Sequence, residues 1–389
     1  MREVVVVSAV RTAVGKGKKD GALAGTHAVE VSAVAMRGAL DKAGVDGALV
    51  DDIFWGCAMP EGTQGLNVAR QASLRANIPV EVPSSTINRF CSSGLQTVAF
   101  GAQAIMTNMA DVVIAGGIEM MSQVPMSGYH TRLDPEITES YIGMGFTAER
   151  VAERWKVSRD DQDRWALGSQ QKAARAWSEG KFAEQIVPVS VEKVRWNGAK
   201  KDEQVESFAR DELPRPDTSI EGLAKLRPAF KVNGTVTAGN SSPYSDGAAA
   251  VLLMGADKAK ELGLTPLARF ITFATAGVEP DIMGIAPIKA VPKALKRAGL
   301  TMQDIDLVEF NEAFAAQVVA VVRELGMPED KVNVNGGAIA LGHPLGATGS
   351  KLTTQLVHEL RSRGGGIGLV TMCVGGGMGA AGLFEVYAA

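Results

Sequence analysis

The sequence predicts an α/β protein built from two similar halves with a segment inserted between them. The first observation behind this is a repeat: "ALDKAGVDGALVDDIFWG" (Ala39 to Gly56) lines up with "ALKRAGLTMQDIDLVEFN" (Ala294 to Asn311) at a shift of 255 residues, so Ala43 and Gly44 meet Ala298 and Gly299. The same shift carries Gly94 onto Gly349, and "DVVIAGG" matches "GLVTMCV" after a two-residue adjustment. The second is an alternation of alanine-rich helical runs, stopped by glycine, with short β-branched runs, the pattern of α/β units around a largely parallel sheet. The third is a change of composition from Met121 to Tyr244, where charges thicken and Trp155, Trp165 and Trp177 appear. The expected organisation is an N-terminal core half at 1–120, with 245–265 returning to it, a loop domain at 121–244 and a C-terminal core half at 266–389.

The elements follow in chain order. "VVVVSAV" (Val4 to Val10) reads as a buried strand, too short to span a bilayer and wrongly flanked for a signal peptide. "STINRFCSSGLQTVAFGAQAI" (Ser85 to Ile105) is an extended approach, a cysteine and then a helix. In the inserted region, "SRDDQDRWALGSQQKAARAWSEG" has a capping pair at Ser158 and Asp161, apolar residues at helical spacing and Gly180 as its stop, and is expected to pack on the core. No low-complexity linker separates the pieces. With 389 residues, 46% of them hydrophobic, the chain can bury a large core. A net charge of -3 leaves no basic surplus for a nucleic-acid footprint. The three cysteines lie far apart with no C-x-x-C pair, which argues against a disulfide framework and a zinc site and predicts a reducing cytoplasm.

Among candidate residues, Cys91 stands out because a helix start directs free N–H groups and a positive dipole end at its thiol, which predicts a lowered pKa. Cys57 reads as a buried structural cysteine. His343, in the glycine-rich stretch "GGAIALGHPLGATGS", falls through the repeat near the equivalent of Cys91, so duplication brings the two to one centre; imidazole can take a thiol proton near neutral pH. Asn311, in "FNEAF", can orient a base or a water, or simply cap a helix. Cys373 ends a strand in "TMCVGGGMG", followed by Gly375, whose backbone N–H is open to an oxyanion; a second thiol there can serve as acid and base. "GMGAAG" fits a dinucleotide pattern but leaves no room for a βαβ unit before Ala389. His358 and Glu359 begin a zinc-protease pattern that Ser362 breaks.

"NRFCSSG", "GGIEMMS", "VTAGNSSPYSDGAA", "NEAFAAQ", "GGAIALGHPLGATGS" and "CVGGGMG" together resemble the thiolase family, its acetyl-CoA acyltransferase and acetyltransferase members, from Met1 to Ala389. The resemblance implies a layered αβαβα thiolase fold with two duplicated core halves and an inserted loop domain. It implies Cys91 as the nucleophile of a ping-pong reaction, His343 as its activator and, with a water held by Asn311, as the binder of the thioester oxyanion. Cys373 would be acid and base, and the N–H groups of Cys91 and Gly375 a second oxyanion hole. Arg215 would lie near the adenine end of coenzyme A, Ser242 near the pantetheine, with Phe230, Ala238 and Phe314 along the tunnel and Met144, Met283 and Ala313 beside the substrate. Coenzyme A is then a substrate; no metal or resident cofactor is implied, and a homodimer or homotetramer is.

Two departures matter. Short-chain biosynthetic members carry His immediately before a Met-Gly pair, where this chain has Gly143 before Met144 and Gly145, and Pro243 replaces a common Gly. A wider pocket follows, favouring thiolysis of 3-ketoacyl-CoA over acetyl transfer to form acetoacetyl-CoA, the runner-up. A Cys-His-Asn protease needs no second thiol, a decarboxylating condensing enzyme generally has His at the position of Cys373, and a catalytically silent acyl-CoA binding protein is expected to lack the nucleophile.

Overall fold

The computed structural model describes the backbone of residues 1–197 and 200–389, and side chains outside 194–203. The first half supplies β1 (Val4–Arg11), β2 (Gly15–Lys16), α1 (Ala28–Ala43), β3 (Asp52–Cys57), α2 (Val68–Arg75), β4 (Ser84–Ile87), α3 (Ser93–Met106) and β5 (Val112–Met120). Next come α4 (Met144–Arg154), α5 (Arg159–Ser178), the ribbon β6 (Val189–Asn197) and β7 (Lys200–Phe208), and α6 (Ile220–Ala224). The rest is β8 (Ser245–Gly255), α7 (Ala256–Glu261), β9 (Ala268–Gly277), α8 (Pro287–Ala298), β10 (Leu307–Phe310), α9 (Ala315–Leu325), α10 (Ala338–Leu341), α11 (Leu345–Ser362), β11 (Gly366–Val374) and β12 (Met378–Val386).

The strand path β4-β3-β5-β8-β1 meets β9-β12-β11-β10 through a short contact of Val5 with Arg269 and Val6 with Ala268. The repeat is visible in this order: β3, β5, β8 and β1 correspond to β10, β11, β12 and β9, and α1 and α3 to α8 and α11. The sheet is mixed, and this corrects the expectation of a largely parallel one. Pairs β3–β4, β3–β5 and β10–β11 are parallel, whereas β1–β8, β5–β8, β11–β12 and β9–β12 are antiparallel. Parallel pairs need a crossover. By contrast β11 returns directly as β12 through Gly376 and Gly377, whose φ of +78° and +82° suit glycine, and β8 re-enters between β1 and β5 after the inserted region.

Helices α3 and α11 lie back to back between the two halves, α3 against β3 and β5 and α11 against β5, β8, β10 and β11. Helices α1 and α2 cover the outer face of one half, and α8 that of the other, giving the αβαβα layering. Apolar burial follows these layers: one cluster joins α1 and α2 to Ile53, Trp55 and Ile114, another joins α3 and α11 to Val113, Val370 and Met372, and a third joins α8 and α9 to Phe310 and Leu383. Helix α5 starts at Ser158, whose side chain and that of Asp161 form a reciprocal capping box, and Gly180, at φ +70°, follows its end.

The two central helices touch through glycines. A Cβ on Gly94 would stand 2.7 Å from the Ser350 nitrogen, and one on Gly349 would stand 2.1 Å from the Leu95 nitrogen. Glycine is required there because backbone, which cannot move aside as a side chain can, is the obstacle. Gly168, inside α5, has nothing within 4 Å of an added Cβ. Denaturant titration should therefore show Gly349→Ala losing about 3 kcal/mol or failing to fold, and Gly168→Ala gaining about 0.5–1 kcal/mol from its better helix propensity.

Candidate active site

Each central helix begins at a candidate residue. Cys91 sits in the single turn before α3, after Phe90, a non-glycine residue at φ +42°. That uncommon conformation is held by neighbours: the Phe90 N–H donates to Asn88 Oδ1 at 2.8 Å, and Ser93 Oγ accepts from the Arg89 N–H at 2.9 Å while donating to the Phe90 carbonyl at 2.7 Å. His343 occupies the turn between α10 and α11, and its N–H donates to Ser245 Oγ at 2.9 Å. The imidazole is fixed at both nitrogens. Thr348 Oγ1 donates to the Pro344 carbonyl at 2.9 Å, so at 2.6 Å from Nδ1 it can only accept, which places the ring proton on Nδ1. Nε2 then carries the lone pair and accepts from the Asn311 amide nitrogen at 3.2 Å. The amide orientation of Asn311 is assigned from this network.

The C-terminal strand hairpin closes the site. The backbone N–H groups of Gly375 and of Cys91 itself act on the Cys91 sulfur, and Cys373 is near enough to be influenced by the charge on Cys91. A Cβ on Gly375 would lie 3.7 Å from both Met144 Sδ and a Phe90 ring carbon. Cys373 is fully buried in one apolar cluster with Met283, Ala313, Phe314, Ala148, Ala152 and Val236, and Met144 packs against it. Phe230 stands edge-on to Phe314, with ring centres 6.0 Å apart, and to Phe146, at 6.4 Å. The Ser242 N–H donates to the Ala313 carbonyl at 2.9 Å. Ala238 and Arg215 are exposed, Arg215 being anchored by its N–H to Gln170 Oε1 at 2.8 Å. Cys91, Cys373, Gly375, Met144, Met283, Ala313, Phe314 and Phe230 thus converge, Asn311 and His343 pair at the start of α11, and Arg215 stands apart at the surface.

Electrostatics reverse one expectation. Cys91 is not activated in the resting site: burial pushes its thiol up to about 12, outweighing the two N–H groups that pull the other way. Burial also pushes Cys373 up, with the Cys91 charge adding to it, and pushes His343 down to about 3, helped by the positive Lys351. The helix start does direct N–H groups at the sulfur, but desolvation of an anion in an apolar site costs more than they return. Thiol and imidazole therefore rest neutral. Cys57 is buried and its thiol is raised well above its ordinary value by burial, as suits a structural role.

Three supports escaped the sequence reading. Glu119 is a buried carboxylate accepting from the N–H groups of Ala58 at 2.9 Å, Met59 at 3.2 Å and Gly346 at 2.8 Å, and from Gln64; it caps the start of α11, which has no side-chain cap of its own. Glu312 accepts from Trp165 Nε1 at 3.0 Å, Ser169 Oγ at 2.7 Å, Asn333 Nδ2 at 2.9 Å and the Ile339 N–H at 3.2 Å, tying α5 to the segment that leads to His343. Thr348 fixes the imidazole. A signal was available for Glu119, a lone carboxylate in an apolar run. A cavity of about 350 Å³ between α5 and α9 lies beyond Glu312, lined by Arg164, Trp165 and Arg323 and away from the thiols. Among the described residues, no group of three or more His, Cys, Asp or Glu is arranged to hold a metal, and no helix is long and apolar enough to cross a membrane.

A resting thiol has a direct signature. Alkylation of Cys91 by iodoacetamide, followed by peptide mass spectrometry, should speed up about tenfold per pH unit from about pH 7 to 10, as for a thiol titrating above that range. A plateau near neutrality would mean a preformed thiolate–imidazolium pair and would contradict this electrostatic reading.

Comparison with known proteins agrees with the geometry. The family pattern described as "Thiolase, N-terminal domain" matches residues 4–257, and "Thiolase, C-terminal domain" matches 264–386. The chain is 54% identical to a 3-ketoacyl-CoA thiolase of Bacillus subtilis (strain 168), covering 99% of this chain and 100% of that one. It is 48% identical to an acetyl-CoA acetyltransferase of Chromobacterium violaceum, covering 97% and 98%. The crystal structure of human mitochondrial 3-ketoacyl-CoA thiolase superposes with a TM-score of 0.89 at 41% identity, over 100% of this chain and 99% of that one. That of the Bacillus anthracis acetyl-CoA acetyltransferase gives 0.89 at 40% identity, over 99% of each. With both patterns matched in order and relatives aligned along nearly its whole length, the chain belongs to the thiolase family.

Proposed function

We propose that this protein is an acyltransferase that cleaves 3-ketoacyl-CoA with coenzyme A to acyl-CoA and acetyl-CoA, and runs the reverse Claisen condensation. The observation that carries the reading is the convergence of two thiols, Cys91 and Cys373, with the N–H of Gly375. A single nucleophile would suffice for hydrolysis. Two thiols match a reaction in which carbon leaves as a carbanion equivalent and needs its own proton.

In the first half, Cys91 Sγ attacks the 3-keto carbon as its proton passes to His343 Nε2, the nitrogen without the ring proton, replacing the Asn311 N–H that it accepts in the resting site. The N–H groups of Cys91 and Gly375 receive the oxyanion. The bond between C2 and C3 then breaks, leaving the acyl group on Cys91 and an enolate of acetyl-CoA. The enolate oxygen meets the newly protonated Nε2 together with a water on Asn311, and Cys373 gives the enolate carbon a proton. In the second half, Cys373 takes the proton of an incoming CoA thiol, whose sulfur attacks the acyl carbon and releases Cys91, and the Cys91 sulfur regains its proton from His343 Nε2. Because thiol and imidazole rest neutral, charge appears only once substrate is bound.

Met144, Met283 and Ala313 would border the acyl chain. Phe230, Ala238, Phe314 and Ser242 would follow the pantetheine, and exposed Arg215 would meet the adenine end. Coenzyme A enters as substrate, with no resident cofactor. The relative at 48% identity supports acetyl-CoA C-acetyltransferase on acetoacetyl-CoA as the second reading. We place the enzyme in the cytoplasm, in fatty-acid β-oxidation, as a homodimer or homotetramer. Exposed Tyr129, Leu133, Ile137 and Tyr141 after β5 supply an apolar surface for that assembly.

Thiolysis assayed over a series of 3-ketoacyl-CoA chain lengths should proceed beyond acetoacetyl-CoA; activity confined to acetoacetyl-CoA would select the second reading. Cys373→Ser should reduce thiolysis by about 100-fold or more, the scale of lost acid–base catalysis, while acyl transfer onto Cys91 from a simple acyl-CoA persists weakly. Thiolysis at near the parent rate in Cys373→Ser would sink the two-thiol mechanism.

A further inference from the structure

Between α6 and β8 runs an irregular segment, residues 235–242, whose contacts with other extended chain are isolated bridges at Thr237 and Ser241. Val236, Thr237 and Asn240 are nevertheless fully buried. Buried backbone N–H groups need partners, and here side chains supply them. Glu149 on α4, itself buried, accepts from the N–H groups of Thr235 and Val236, each at 2.9 Å, and Asn240 Oδ1 accepts from the Thr237 N–H at 2.8 Å. The Asn240 amide nitrogen donates to Asp163 Oδ1 on α5 at 2.9 Å and to the Thr235 carbonyl at 3.2 Å. Asp163, 2% exposed, also accepts from Arg159 Nε, at 2.7 Å through Oδ2. The other side of the segment pairs with the chain just beyond Asn311: the Ala315 N–H donates to the Asn240 carbonyl and the Ser242 N–H to the Ala313 carbonyl, both at 2.9 Å. Asn240 is thus bonded on one side to α5 and on the other to the segment that follows Asn311, while Ala238 stays exposed and Ser242 half-buried. Val236 packs in the apolar cluster of Cys373.

We propose that Asp163 and Asn240 are positioning residues for the pantetheine arm of coenzyme A: their buried bond docks 235–242 onto 313–315 and so holds Ala238 and Ser242 along the arm. The inference rests on the reading above in which those two residues follow the pantetheine. The orientation of the bond is fixed, because the Thr237 N–H can only donate to Asn240 and the Asp163 carboxylate, paired with Arg159, can only accept from it. With an ionised acceptor it is also stronger than a bond between two neutral groups. A donor that carries the whole arm binds to the docked segment, so its apparent affinity falls with the docked fraction. A donor that lacks most of the arm gains far less from docking. A role in packing alone would act on both donors alike.

The test compares two acetyl donors: acetyl-CoA, and S-acetyl-N-acetylcysteamine, which carries the same thioester on only the last part of the arm. Each passes its acetyl group to the Cys91 sulfur and leaves as a thiol, and peptide mass spectrometry at subsaturating donor gives the ratio of the two rates. Asp163→Asn offers one amide oxygen to two donors, Arg159 and Asn240, and Asn240→Asp sets carboxylate against carboxylate. Each should lower the preference for acetyl-CoA by about tenfold, the scale of one hydrogen bond to a charged group. The exchanged pair, Asp163→Asn with Asn240→Asp, again sets a donor against an acceptor and should stay within about threefold of the parental preference. Should either single variant fail to fold, the other single variant and the pair decide. A fall of less than about threefold in a folded single variant would overturn the proposal, as would a pair no better than the single variants. A parent that shows no preference for acetyl-CoA would do the same. If neither donor acetylates Cys91 in the parent, the thiolase reading itself is lost, whereas acetylation with an unchanged preference in the variants removes only the role of Asp163 and Asn240.

Discussion

The whole centre depends on α3 and α11 meeting backbone to backbone. With Gly94 and Gly349 at the crossing, each helix start is delivered to the same place: Cys91 opens one and His343 opens the other. Gly56, Gly117 and Gly346 extend the requirement into the sheet, since a Cβ on Gly117 would stand 2.1 Å from the Gly346 carbonyl oxygen. The two copies of a duplicated α/β unit thus place different residues near equivalent helix starts, Cys91 in one and His343 in the other. The proposed function makes the first a nucleophile and the second its base. Glu119 secures the arrangement by capping α11 from the opposite half through the Gly346 N–H.

Burial then determines how that pair behaves. In water, a helix start would draw a thiol toward ionisation. In this site desolvation wins, and both partners rest without charge. In the proposed mechanism such a site reacts only when substrate brings an electrophilic carbon and an oxygen for the N–H groups of Cys91 and Gly375. It also spares a buried thiolate from idle oxidation or alkylation. The hydrogen-bond chain Pro344–Thr348–His343–Asn311 matters for the same reason: it presents Nε2 as the acceptor before any substrate arrives.

Much of this was legible in the residues. The repeat was visible in Ala39–Gly56 against Ala294–Asn311, and its shift also aligns Gly94 with Gly349, the two glycines at the helix crossing. Ser158 and Asp161 marked the start of α5, and Cys91, His343 and Cys373 were marked by polar or glycine-rich surroundings at strand and helix ends. Strand direction was not legible. β-branched runs look alike in parallel and antiparallel neighbours, and β8 joins its sheet only after more than a hundred intervening residues. The sign of the Cys91 shift also escaped the sequence, because a dipole is read from local order whereas desolvation depends on everything packed around it. The partners of Glu312 come from elements far apart in the chain, so its role could not be seen from local pattern.

The central claim is that the crossing of α3 and α11 makes Cys91 the group that carries the acyl chain. Incubating the protein with an acyl-CoA without free coenzyme A, quenching in acid and mapping the peptides by mass spectrometry tests this directly. The account predicts one acyl group, on Cys91, discharged when coenzyme A is added. An adduct confined to Cys57 or Cys373, or one on Cys91 that coenzyme A cannot remove, would contradict it.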